Sequence, residues 1–279
     1  MVARRSPSSS SRKKPVDFDE LVAQAEQHAV RGWDFEWILK KGRFVETALP
    51  WDYAARVVRL AHQSPDLLDL GTGGGERLEA FSYRPALTVA TESYAPNVPI
   101  AYRRLRPLGV HLVHTWAALD NVLQGESSPI GRLPFRDRSF HLVIDRNEAY
   151  VPSEVARVLS RGGIFLTEQS GTSEVQSLHR LFDIPLRHVK APFWTLGLAS
   201  QRLAQVGLRV VGSSEAHFEM KFGDVGALVW YLRMVPWAVP GFSVKRHRDA
   251  LLRIHENIQV SGPLRVPRYG FWLEAQRRS

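Results

Sequence analysis

The sequence predicts an α/β fold centred on a doubly wound, mostly parallel seven-stranded sheet. Three observations predict it. Short apolar segments alternate with helix-like ones, the pattern of parallel strands joined by crossover helices. One of those segments, Leu67 to Leu70, runs into a glycine-rich loop and then a helix. The chain has 279 residues, 44% hydrophobic and 23% charged, enough for one large α/β domain with insertions or at most two small ones.

The elements follow in order. From Asp17 the apolar residues Phe18, Leu21, Val22, Ala25 and Ala29 recur at helical spacing. An aromatic cluster comes next (Trp33, Phe35, Trp37 and Phe44), serving either as packing or as a lid over a substrate pocket. Pro50 suits the first turn of a helix reaching about His62. Short buried strands are then expected at Leu67 to Leu70, Leu87 to Thr91, Val110 to His114, Phe140 to Asp145 and Gly163 to Glu168. Helices at Asn97 to Leu105 and Pro152 to Leu159 separate some of them. Two further strands, Leu208 to His217 and Val266 to Gln276, enclose helical segments at Asp224 to Trp237 and Ser243 to Gln259. The chain thus divides into a basic tail (1–15), an N-terminal helical and aromatic cap (16–64), and a domain carrying the glycine loop (65–279), with helical insertions in its C-terminal half.

Composition closes several routes. No apolar run approaches the length of a membrane span and no signal-peptide core stands near the start, so the expected location is the cytoplasm. With no cysteine there is no thiolate metal site and no cysteine nucleophile, and no metal is expected. The net charge of +9 is concentrated: Arg4, Arg5, Arg12, Lys13 and Lys14 supply five of it with no acid among them. The tail is read as solvated.

Asp69-Leu70-Gly71-Thr72-Gly73-Gly74-Gly75-Glu76 carries the functional argument. Glycines at alternate positions let a ligand lie against the main chain. Asp69, at the strand end, can brace the loop by accepting amide hydrogen bonds. A dinucleotide site wants glycine or alanine at the sixth position counted from Gly71, where Glu76 stands and would face a pyrophosphate. A cofactor without phosphate, bearing ammonium and sulfonium charges, suits the loop better. Glu92 ends the next strand about twenty residues on, where an acid can accept both hydroxyls of a ribose.

From Leu67 to Gly171 the chain resembles the class I S-adenosylmethionine-dependent methyltransferase superfamily, in its ubiquinone/menaquinone-biosynthesis-like branch. The resemblance rests on the Asp-x-Gly-x-Gly-x-Gly loop, the strand-end acid, Leu133-Pro134-Phe135-Arg136-Asp137-Arg138-Ser139-Phe140, and Glu154-Val155-Ala156-Arg157-Val158-Leu159-Ser160-Arg161-Gly162-Gly163. His141 and Arg161 depart from it, standing where the family usually has Asp and Pro. The resemblance implies S-adenosylmethionine as cofactor, with Asp69, Gly71, Thr72, Gly73 and Gly75 along its methionine part. It implies Glu92 on the ribose, Ser93 near the adenine with Thr115 to Ala118 close by, and Arg146 at the strand end where the methyl group is presented.

Candidate catalytic groups are Glu148 and Asp145, with Glu168, His217 and His141 as lesser candidates for holding a proton. The acceptor is expected to be small or medium-sized and partly apolar, bound under a C-terminal half rich in Phe193, Trp194, Trp230, Trp237 and Phe242. Methylation at C5 of cytosine is disfavoured without a cysteine, and the Asn-Pro-Pro-aromatic motif is missing. Two alternatives are a ribosomal or transfer RNA methyltransferase gripping phosphates with the tail and Lys245-Arg246-His247-Arg248, and a non-catalytic cofactor-binding or scaffold protein. Deleting residues 1 to 15 is expected to leave folding, donor affinity and turnover unchanged. Loss of a steep salt dependence of RNA binding, up to about 4 units of slope, would show instead that the tail grips phosphates.

Overall fold

The computed structural model describes residues 17–30, 35–116, 118, 121, 131–185 and 193–278. The tail and Trp33 lie outside them. Helix α1 (Phe18–Gln27) starts where Asp17 accepts the N–H of Asp19 at 2.7 Å, and it buries Phe18, Leu21, Val22 and Ala25. A short α2 (Glu36–Leu39) and strand β1 (Phe44–Glu46) follow. Helix α3 (Tyr53–Ala61) is capped by Asp52, which accepts the N–H of Ala55 at 2.9 Å. Pro50 therefore precedes the helix and does not occupy its first turn; the aspartate two residues later satisfies a free amide that proline cannot.

The core alternates as expected: β2 (Asp66–Leu70), α4 (Glu76–Ala80), β3 (Leu87–Glu92), α5 (Val98–Leu105), β4 (His111–His114), β5 (Phe140–Arg146), α6 (Pro152–Val158), β6 (Leu159–Ser170) and α7 (Ser173–Leu181). Then come α8 (Leu196–Gln205), β7 (Leu208–Phe222), α9 (Val225–Met234), α10 (Arg248–Ser261) and β8 (Leu264–Arg277). The sheet runs β1-β7-β8-β6-β5-β2-β3-β4. Strands β4, β3, β2, β5 and β6 are parallel, while β8 lies antiparallel between β6 and β7.

Among the described residues there are eight strands, where the sequence pattern suggests seven. The extra one is β1, which joins β7 through three residue pairs and buries only Phe44. An alternation three residues long is too short to read from sequence.

Both faces of the sheet are covered. One carries α3, α4 and α5 through Val57, Leu60, Leu78, Ala101 and Leu105. The other carries α6 and α8 through Val155, Val158, Ala199 and Leu203. A third core joins α1, α7, α9 and α10 to the ends of β7 and β8. Here the aromatic cluster finds its place: Phe35 meets Trp230 edge-on at 5.7 Å, and Phe44 stacks on Tyr231 at 5.8 Å. These rings are packing, and so are Trp230 and Phe242. Among the described residues no helix is long and apolar enough to cross a membrane.

The segment before β1 is clamped to the start of α9 at one point. Arg43 grips Asp224 with two hydrogen bonds of 2.7 Å, and Asp224 also caps α9 by accepting the N–H of Ala227 at 2.9 Å. Gly226 permits the approach, since a Cβ there would stand 2.6 Å from the carbonyl oxygen of Leu21. Asp224→Ala removes a helix cap and strands a largely buried guanidinium. The expected loss is about 2–4 kcal/mol, read as a lower midpoint of urea unfolding. An unchanged midpoint would show that the clamp contributes nothing.

Candidate functional site

After β2 the chain moves outward to β3 and β4, then returns to the other side of β2 as β5. Crossover helices leave in opposite directions there and open a crevice at the carboxyl ends of the strands. The glycine loop fills this switch point. Gly71, Gly73 and Gly75 have φ of +65°, +63° and +84°, the left-handed region that glycine enters without penalty. Thr91 of β3 pins the loop: its carbonyl accepts the N–H of Thr72 at 2.8 Å and its hydroxyl that of Gly71 at 3.2 Å.

Glu76 is not where the sequence argument put it. Its carboxylate pairs with Arg104 of α5, which also binds Glu79 at 3.1 Å and the carbonyl of Gly74 at 2.7 Å. The acids facing the crevice are others. Glu92 is buried at the end of β3 and accepts the N–H of Tyr94 at 2.7 Å. Burial raises its pKa against opposing hydrogen bonds from the amides of Tyr94, Ser93 and Gly73. Glu148 lies over the loop, so close that a Cβ on Gly71 would collide with its Oε2 and stand 2.7 Å from its Cβ. Desolvation, then the charges of Glu92 and Asp69, push Glu148 up to about 7. Asp69 is likewise pushed up to about 7, by desolvation first, with Glu92 adding to the rise. These three carboxylates make the crevice hostile to a phosphate and receptive to a cation.

Asp145 is fully buried. Its Oδ1 accepts Gln169 Nε2 at 2.6 Å and the Thr167 hydroxyl at 3.0 Å, while Oδ2 has no hydrogen-bond partner among the described residues. Desolvation, then Glu148, raise its pKa well above the usual carboxylate range. Gln169 also donates to the carbonyl of Glu148 at 3.1 Å, and its Oε1 accepts Trp194 Nε1 and Asn121 Nδ2, both at 3.2 Å. Arg146 turns to the opposite face of the sheet. Its Nε donates to Glu168 at 2.6 Å, and Glu168 accepts the indole N–H of Trp51 at 2.7 Å.

A cleft adjoins the loop, bounded by Gly71, Thr91, Ser93, Thr115, Trp116 and Glu148 among others. Ala118 also borders it, and Ala117 lies outside the described residues.

Several sequence candidates fall elsewhere. His141 sits at the far edge of the sheet, where its Nδ1 stands 2.7 Å from Asp66 Oδ2 and its N–H donates to Oδ1 at 2.6 Å. Asp66 begins the strand whose other end carries the loop, roughly 15 Å away at the usual rise per residue. His141 thus braces β2 against β5. His217, on β7, has its ring tilted against that of Tyr269 on β8 at 5.3 Å, with three strands, β8, β6 and β5, between it and the loop strand. Arg248 pairs with Asp19 at 2.8 Å and covers Phe18, which ties part of the Lys245 to Arg248 patch into the fold. Trp194 is buried in the α6–α8 core, while Phe193 and Trp237 remain exposed. Thr91, Gln169 and Trp51 were not singled out from sequence, because each acts through partners more than twenty residues away or through a side chain of common type.

No family model matches the chain, and no curated protein matches it in sequence. Solved structures match it in fold. A candidate methyltransferase (BH2331) of Bacillus halodurans C-125 superposes with a TM-score of 0.57 and 18% identity, over 81% of this chain and 99% of that one. The YcgJ protein of Bacillus subtilis superposes with a TM-score of 0.53 and 18% identity, over 81% and 98%. The chain has the class I methyltransferase fold.

The raised carboxyls carry a stability signature. A carboxyl whose folded pKa exceeds its unfolded value contributes stability that is fully present below about pH 4 and lost as pH rises through about 7. Glu148→Gln should therefore raise the Tm of the unliganded protein at pH 8 and leave it unchanged at pH 4. Equal shifts at the two pH values would refute the raised pKa.

Proposed function

We propose that the chain transfers a methyl group from S-adenosylmethionine to an oxygen or nitrogen of a small or medium-sized, partly apolar acceptor. The observation that carries this reading is the convergence of Asp69, Glu92 and Glu148 on a left-handed glycine loop at the switch point of the sheet. Burying three acids together is unfavourable unless a cation joins them. The proposed donor brings two, an ammonium and a sulfonium, and no phosphate.

In this reading Glu92 holds the ribose hydroxyls, and Ser93, Thr115 and Trp116 border the adenine. Asp69, with the backbone of Gly71, Thr72, Gly73 and Gly75, receives the methionine part. The donor supplies a methyl group made electrophilic by the sulfonium charge. The protein's tasks are to align the acceptor's lone pair and to hold any proton it sheds. Glu148 suits the second task. With a pKa of about 7 it is half ionised at neutral pH, and it stands directly over Gly71. Asp145, whose pKa burial raises and which is held by Gln169 and Thr167, fixes the end of β5 from which Glu148 projects.

Calorimetric titration with S-adenosylmethionine and S-adenosylhomocysteine tests the reading, followed by acceptor screening with a labelled methyl group. Gly73→Arg should abolish binding of both while the far-ultraviolet spectrum stays that of the folded chain. Glu92→Ala should weaken it by about 1–3 kcal/mol. Unaltered affinity in both variants refutes the donor assignment. Tight binding with no transfer to metabolites or RNA identifies a cofactor-binding protein instead.

A further inference from the structure

The parallel strands end at the crevice, and the opposite, amino-terminal edge of the sheet is basic. Four segments meet there: 134–139 before β5, 159–163 opening β6, 206–210 opening β7, and 275–278 closing antiparallel β8. They hold six arginines and a single acid, Asp137.

Hydrogen bonds draw the segments together. The carbonyl of Arg157, at the end of α6, accepts the N–H of Arg138 at 2.9 Å and Arg277 Nη1 at 3.3 Å. Arg277 also reaches the carbonyls of Ala156 at 2.5 Å and Leu159 at 2.6 Å. The Ser160 hydroxyl donates to the carbonyl of Arg138 at 3.0 Å. On β8, Gln276 donates to the carbonyl of Gly162 at 3.2 Å and accepts Arg209 Nη2 at 3.4 Å. Asp137 is paired with Arg157 at 2.9 Å. Arg277 is thus spent on the fold, while Arg136, Arg138, Arg161, Arg209 and Arg278 are exposed. Apart from Arg209, the guanidinium groups of these five have no hydrogen bond or ion pair among the described residues.

Arg138, Arg161, Arg278 and Arg209 belong to neighbouring strands, in the order β5, β6, β8 and β7. With about 4.8 Å between strands, the row is about 14 Å wide. A small anion neutralises one or two such charges, whereas a nucleic-acid duplex offers one for about every 1.7 Å of its axis. Guanidinium forks match phosphate oxygens through paired hydrogen bonds. No exposed aromatic ring lies within the four segments, so the surface fits a phosphate backbone and not unstacked bases. Among the described residues, Val211 is the only exposed large apolar side chain within two residues of these arginines. A surface that dips into lipid presents more. We propose that this arginine edge is a docking surface for the phosphate backbone of duplex nucleic acid. It lies about 20 Å from the crevice, at the other end of β5, and is independent of the methyl-transfer reading.

The test measures binding of the full chain to a short labelled RNA duplex, and to DNA of the same sequence, over a range of salt concentrations. Arg138→Gln combined with Arg161→Gln removes two charges and no side-chain bond. It should flatten the slope of log affinity against log salt by about 2 units. Arg138→Lys combined with Arg161→Lys keeps the charges and should keep the slope. A preference for RNA or for DNA then names the source of the phosphates. Equal slopes in the wild type and the glutamine variant place any binding elsewhere and overturn the proposal. So does a lysine variant that loses the slope, or a wild type that binds neither duplex. Capture by phosphatidylserine vesicles, with neither duplex bound, overturns it in favour of a membrane surface.

Discussion

Desolvation raises the proton affinity of Asp69, Glu92 and Glu148 in one crevice, the charge of Glu92 adds to the rise at the other two, and the fold holds them there against both. Glu92 cannot retreat because β3 is clasped between β2 and β4 and its carboxylate is tied to the amide of Tyr94. Asp69 cannot retreat because its strand lies between β3 and β5. Glu148 follows a turn whose Asn147 takes a positive φ and donates its N–H to the carbonyl of Glu168. Each acid is placed by backbone hydrogen bonds of the sheet, and this rigidity keeps the charges from relaxing apart. The crevice is in that sense preorganised for positive charge.

The remainder of the molecule supports that arrangement from a distance. Helices α1, α9 and α10, with β1, build a separate core against the far ends of β7 and β8, clamped by Arg43 and Asp224. Between this core and the crevice runs a line of polar side chains: Trp51, Glu168 and Arg146, then Ser170, Arg268 and Glu174. The strand-borne members lie at the carboxyl ends of β5 and β6 and beside the start of antiparallel β8, which makes the wall beside the loop polar although the layers around it are apolar.

Legibility from sequence followed range along the chain. The glycine loop could be read because its special torsions demand glycine at alternate positions within five residues. Glu92 could be read because a parallel neighbour strand returns at a near-fixed distance. The seven longer strands and the two C-terminal helices could be read from hydrophobic runs of adequate length. What escaped depends on contacts with no local trace. Glu76 pairs with Arg104 only because α4 and α5 lie side by side. His141 pairs with Asp66 across 75 residues. Gln169 gathers Asp145, Glu148, Trp194 and Asn121 through a side chain that, in sequence, is one glutamine in a strand. The aromatics of the C-terminal half illustrate the converse: rings that looked available for a ligand are mostly spent on packing.

Strand β8 follows every other strand in the chain and yet lies inside the sheet, with β6 on one side and β7 on the other. Its partner in β6 is about a hundred residues back, as at Ile164 and Gln276. Strands β7 and β1 join the parallel half only through it. Such a pairing closes a long loop and carries a large entropic cost before any contact repays it. During synthesis the five parallel strands can assemble while β7 has no place in the sheet. The nascent chain therefore presents the edge of β6 to solvent until β8 arrives, an interval in which an unpaired edge invites pairing with other chains. The parallel half of the sheet and the β7–β1 half are thus joined through β8, the strand that pairs with both β6 and β7.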